Sequence, residues 1–137
     1  MSAAGYTLRR GALDPASGVS HSWGWLNMIS EEATTGVDGV TVGMAKIEPG
    51  EENPLHIHAN CSEIILLLRG SVEHVVGGDV VDLSAGDLLI VPRGVQHQAR
   101  SVGSAPAEMV VVYNSGYREF HVVQENEGPP KSDPESG

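Results

Sequence analysis

The apolar positions of this chain fall in short runs, and many of the runs alternate with polar residues. The segment SVEHVV at 71–76 does so, and LLIV at 88–91 is a compact apolar block. Alternation with a period of two places every second side chain on one face of an extended strand. No stretch carries a convincing helical period. The pattern predicts strands at 20–29, 40–47, 56–58, 63–68, 71–76, 80–83, 88–91, 97–101, 107–113 and 120–123. Turn-forming residues separate them: Glu48-Pro49-Gly50, Arg69-Gly70, Gly77-Gly78-Asp79, Ala85-Gly86-Asp87 and Pro92-Arg93-Gly94. Gly77-Gly78 marks the clearest hairpin, because glycine accepts the positive φ of a tight turn. The polar segment SEEATTGVDG, residues 30–39, is expected to be a loop. So many short strands predict an all-β sandwich or barrel. There is no internal repeat.

The predicted strand 20–29 puts His21, Trp23 and Trp25 on one face. Two large aromatics so close together either wall a ligand pocket or fill a core or an interface.

A length of 137 residues suits one domain. With 40% hydrophobic and 19% charged residues, the composition is that of an ordinary soluble protein. Residues 1–18 are expected to form an N-terminal arm, 19–124 the β domain, and 125–137 a tail. The tail, ENEGPPKSDPESG, holds four acids, one lysine and three prolines, so it cannot build a core and is expected to be disordered. The formal charge of -10 argues against a nucleic-acid partner. No apolar run approaches the roughly 20 residues that span a bilayer, so no membrane partner is expected. The N-terminus lacks the apolar block of a secretory signal, which makes the cytoplasm the default expectation. Cys61 is the single cysteine and excludes an intrachain disulfide. It is either a reactive thiol or a small buried residue.

The candidate chemistry lies between Gly50 and Ser101. His56 and His58 are two apart, so one strand can aim both at one point. Glu63 follows the polar break Ala59-Asn60-Cys61-Ser62, which can end one strand and re-aim the glutamate inward from the next. Glu63 then leads Ile65 and Leu67 on its face, and His97 leads Ala99 and Ser101. Imidazoles with a carboxylate suit a divalent transition metal: Zn, Fe, Mn, Ni, Co or Cu. Such a donor set leaves open positions for substrate on a five- or six-coordinate ion. His21, His74 and His121 have no such neighbours and are read as ordinary surface or core residues.

These residues resemble the cupin superfamily. Its first motif runs Gly, five residues, His, one residue, His, three or four residues, Glu, six residues, Gly; Gly50, His56, His58, Glu63 and Gly70 meet it. Its second runs Gly, five residues, Pro, one residue, Gly, two residues, His, three residues, Asn. Gly86, Pro92, Gly94 and His97 meet it, with Ser101 in place of the Asn. The resemblance implies an antiparallel jelly-roll barrel (a double-stranded β-helix) at 19–124, with His56, His58, Glu63 and His97 as metal ligands. It also implies a homodimer. One motif pair points to a monocupin.

The resemblance further implies a metal-dependent enzyme acting on a small oxygenated organic substrate, of the dioxygenase, lyase, isomerase or polyketide cyclase kind. In some cupins the residue matching Glu63 leaves the metal and serves as base. The alternative is a non-catalytic metal-dependent binding or sensor module. Strand parity and residue type suggest Trp23, Trp25, Met44, Gln96, Met109 and Tyr113 as pocket residues.

Overall fold

Eleven of the twelve strands among the described residues fall in the stretches predicted above, and the twelve assemble into two facing sheets. The computed structural model describes residues 4–123 and the strand Lys131–Ser132. The strands are β1 (Val19–His21), β2 (Gly24–Ser30), β3 (Thr41–Ile47), β4 (His56–Ile57), β5 (Glu63–Arg69), β6 (Ser71–Val76), β7 (Asp79–Ser84), β8 (Leu88–Val91), β9 (His97–Ser101), β10 (Ala107–Tyr113), β11 (His121–Val122) and β12 (Lys131–Ser132). One sheet has the order β1-β2-β3-β10-β5-β8 and the other β12-β11-β4-β9-β6-β7. All their pairings are antiparallel. This is the expected all-β jelly roll.

Alternation sorts the side chains as predicted. On β5, Glu63, Ile65 and Leu67 point inward and are buried, while Ile64 and Leu68 face out. On β9, His97, Ala99 and Ser101 are buried, and on β10 Ala107, Met109, Val111 and Tyr113 are. These meet Ile47 and Ala45 from β3 and Val72 from β6 in one core. Each fully buried Ile, Leu or Val contributes about 1.5–3 kcal/mol.

Two predicted elements differ. The strand expected at 20–29 is a hairpin, with Val19 paired to Leu26 and His21 to Gly24 across a turn at Ser22-Trp23. The reversal removes the shared face expected for the two tryptophans. Trp23 turns into the core, while Trp25 stays half-buried outside and its Nε1 donates to the Pro15 carbonyl at 2.9 Å. The expected loop at 30–39 contains a one-turn helix, α1 (Glu32–Thr35). Thr34 Oγ1 accepts from the Glu31 amide at 3.1 Å, and Gly36 closes the helix with a φ of 77°.

The N-terminal arm lies along β2. Asn27 Nδ2 donates to the Ala12 carbonyl at 2.7 Å, and Arg9 donates to the Ile29 carbonyl at 2.7 Å. The expected disordered tail, 125–137, lies outside the described residues except for Lys131–Ser132, which pair with β11.

Candidate metal centre

Four side chains from both sheets converge inside the barrel. His56 on β4 is paired directly with His97 on β9, and their ring centroids are 4.1 Å apart. His58 lies just past the end of β4, where its carbonyl accepts from the Gly94 amide at 2.9 Å. The break after it carries the chain from the sheet of β4 to that of β5. Asn60 fixes this crossing: its Nδ2 donates to the Tyr117 carbonyl at 3.0 Å and its Oδ1 accepts from the Glu119 amide at 2.8 Å. Glu63 opens β5 facing inward. His56, His58, Glu63 and His97 each offer one donor atom, all within 4.8 Å of one another, and all four residues are buried.

One device orients all three imidazoles. Nδ1 of His56 donates to the Pro54 carbonyl at 2.6 Å, Nδ1 of His97 to the Val95 carbonyl at 3.1 Å, and Nδ1 of His58 to the Glu119 carbonyl at 3.0 Å. Committing Nδ1 to a carbonyl leaves Nε2 as the ligating atom, the arrangement that metal-bound histidines use. Nε2 of His97 lies 2.8 Å from Glu63 Oε1. Nε2 of His58 stands 3.3 Å from the same oxygen, but without hydrogen-bond alignment it is an orphaned buried atom. Three nitrogens and one carboxylate converging this closely fit one divalent transition metal ion.

Burial by itself pushes the Glu63 carboxyl up, yet the imidazoles of His58 and His97 outweigh it and hold the group well below the usual carboxylate range. Burial, then the neighbouring charges of His97 and His58, holds His56 well below the ordinary imidazole value. Burial, then Glu63, raises the Tyr113 hydroxyl, so Tyr113 keeps its proton. Burial raises the Cys61 thiol to about 11, and with 1% exposure Cys61 is the small buried residue and not the reactive one.

Beside the quartet lies a cavity of about 30 Å³, lined mainly by apolar side chains that include Trp23, Leu26, Met109 and Phe120. Of the six residues suggested for a pocket, Trp23, Met109 and Tyr113 line it. Trp25 and Met44 do not. They line a separate surface groove beneath the arm, because the hairpin turn and the parity of β3 aim them outward. Gln96 is exposed in the turn before β9 and lines no part of the cavity. A larger groove of about 540 Å³, between the arm and α1, contains none of the quartet.

Two of the cavity residues that escaped the sequence reading bear on its chemistry. Phe120 stacks on His56 at 4.7 Å with Arg118 over its outer face at 5.1 Å. His74, read as an ordinary histidine, is buried and lines the cavity. Its signal was available: it shares the parity of Val72 and Val76, so alternation turns a polar ring into the core. Burial, then the charge of His97, lowers its pKa to about 4, which leaves the ring neutral near pH 7. His21 stacks on Trp23 at 4.7 Å, and His121 lies 3.5 Å from Glu119; neither lines this cavity.

Comparison with known proteins agrees with this geometry. The family model described as "Cupin domain" matches residues 43–113. Germin-like protein 1-1 of Oryza sativa subsp. japonica is 33% identical over 87 residues, covering 58% of this chain and 40% of the relative. Oxalate oxidase GF-3.8 of Triticum aestivum is 30% identical over 95 residues, covering 64% of this chain and 42% of the relative. Among solved structures, the oxalate decarboxylase of Lactobacillus farciminis in complex with formate superposes with a TM-score of 0.73 at 17% identity, over 77% of this chain and 33% of that one. The oxalate decarboxylase of Bacillus subtilis gives 0.73 at 18% identity, over 77% and 29%. The chain therefore spans less than half the length of these relatives and about a third of the solved chains.

Proposed function

We propose that this chain, which belongs to the cupin family, is a metal-dependent enzyme acting on a small oxygenated organic compound. One observation carries this reading: His56, His58, Glu63 and His97 bring four buried donor atoms together, and His56, Glu63 and His97 of these line a cavity. A divalent ion held there supplies Lewis acidity, and a redox-active one also supplies electron exchange. The chemistry open to such a site is of the dioxygenase, lyase, isomerase or cyclase kind.

The chain's own residues prepare the site in three ways. The carbonyls of Pro54, Val95 and Glu119 hold the imidazoles in one tautomer, so little reorganisation is needed when a ligand arrives. Trp23, Leu26, Met109 and Phe120 give the cavity mainly apolar walls, which strengthens polar contacts inside it. Glu63, ionised against burial by its two imidazoles, is the group best placed to accept a proton from a substrate carbon or hydroxyl.

The test uses the purified full chain. Elemental analysis identifies the bound metal. Oxygen uptake and product formation are then followed with catechol-like, flavonol and diketone compounds, and with oxalate, the compound in the names of several relatives. Turnover that disappears in His97→Ala supports the enzyme. Tight binding without product gives the binding module instead.

We further propose a homodimer. On the outer face of the first sheet, Ile64 sits opposite Ile90 and Leu66 opposite Leu88; Ile64, Leu88, Ile90 and Leu68 are exposed. A contiguous apolar face of this kind fits a second copy of the chain. Light scattering on the eluting protein checks the mass, and a monomer for Ile90→Lys is the expected result.

A further inference from the structure

His74 is 1% exposed, and neither of its ring nitrogens has a hydrogen-bond partner. Buried polar groups are satisfied as a rule, so a ring that could form two hydrogen bonds and makes none calls for an occupant. The register shows where that occupant sits. His74 on β6 pairs with Ala99 on β9, two residues along from His97. Its ring is nearly parallel to that of His97, at 16°, with the centroids 5.8 Å apart. Ala99 offers only a methyl group, so its side chain does not reach across to cover the imidazole. His74 lines the same cavity as His56, Glu63 and His97. The remaining walls are mostly apolar, and no lysine or arginine stands among the described lining residues.

We propose that His74 is a substrate-positioning residue, which binds by hydrogen bond the end of the substrate remote from the metal quartet. The inference rests on the reading of that quartet as a metal centre and names its substrate class. A neutral imidazole offers one N–H donor and one acceptor nitrogen, so it serves a hydroxyl particularly well and a carbonyl by donation alone. The cavity, of about 30 Å³, is small, which favours a short compound. With no cation on the described walls besides the metal position, a second full negative charge has nothing to pair with there. The substrate class is therefore a short organic acid or carbonyl compound, neutral or singly charged, with an oxygen function at each end.

The probes are propionate and 3-hydroxypropionate, which differ only by a terminal hydroxyl. Both are titrated calorimetrically into the zinc-loaded full chain. The wild type should bind 3-hydroxypropionate about tenfold more tightly, the usual worth of a buried hydrogen bond. His74→Phe keeps a flat ring without polar atoms. It should reduce that preference to less than about threefold with zinc content unchanged, and His74→Gln should restore part of it. An unchanged preference in His74→Phe, no preference in the wild type, or equal weakening of both probes overturns the proposal; the last outcome reveals a packing role alone. Failure of the wild type to take up zinc overturns the metal reading itself and this proposal with it. Should His74→Phe not fold, the ¹⁵N signals of the His74 ring in the zinc-loaded wild type decide. They must shift on addition of 3-hydroxypropionate, and static signals overturn the proposal.

Discussion

Nε2 of His97 lies 2.8 Å from Oε1 of Glu63, though 34 residues separate the two in the chain. Nδ1 of the same ring donates to the Val95 carbonyl. With Nδ1 committed there, Nε2 and Oε1 face each other as two of the four donor atoms for one metal ion. His97→Ala removes one of the two and should lower the bound metal several-fold. Elemental analysis measures that loss, and unchanged occupancy contradicts the arrangement.

His56 and His58 supply two of the four donors, but they lie at the short strand β4 and contribute little to the apolar core. His56→Ala or His58→Ala should remove most of the bound metal and leave the barrel folded. Elemental analysis with circular dichroism checks both halves of this expectation. Full metal occupancy in both variants would mean that the ion is bound elsewhere.

The metal-free protein should lose stability as the solution is acidified. Burial lowers His74 from 6.5 to about 4, so between these values the unfolded chain takes a proton that the folded chain refuses. His56 is shifted in the same direction, mainly by burial, and adds to the slope. Glu63, also lowered, extends the loss below its ordinary 4.5. Above pH 6.5 all of this stability is present. For His74 alone the completed loss is on the order of 3 kcal/mol. Denaturant midpoints at pH 7.5, 6 and 5 should fall in that order, whereas a constant midpoint would refute the shifts.

Gly70 and Gly94 both have positive φ, 86° and 79°, but their surroundings differ. A Cβ on Gly70 would stand 2.7 Å from the Pro106 carbonyl oxygen and 2.8 Å from the Ala107 Cα, both backbone atoms that cannot step aside. One on Gly94 would meet nothing within 4 Å. Gly94→Ala should cost only the conformational strain, about 1–2 kcal/mol. Gly70→Ala should cost clearly more, about 3 kcal/mol or above, because strain and collision add. Urea unfolding of the two variants measures the difference.

Strand parity made most of the centre legible in the sequence. Glu63 leads Ile65 and Leu67, and His97 leads Ala99 and Ser101, because a period of two survives any packing around it. The polar break 59–62 was readable as a change of strand, and it proves to be a change of sheet. Trp25 was misplaced for a different reason. No glycine-rich pair announces the turn at Ser22-Trp23, so the apparent alternation ran straight through a reversal. Met44 was misjudged because both faces of β3 are covered, one by the core and the other beneath the arm, and burial there does not imply the cavity. Phe120 was not legible at all: its contact with His56 depends on a chain segment more than sixty residues away folding back over β4.

That returning segment also bears on synthesis. Every donor of the quartet has left the ribosome once residue 97 has, but the acceptor that steers His58 belongs to Glu119. A nascent chain stopped at 118 carries the complete ligand set with one ring still unaimed. The aim of the third imidazole thus depends on a stretch of chain made after all four donors.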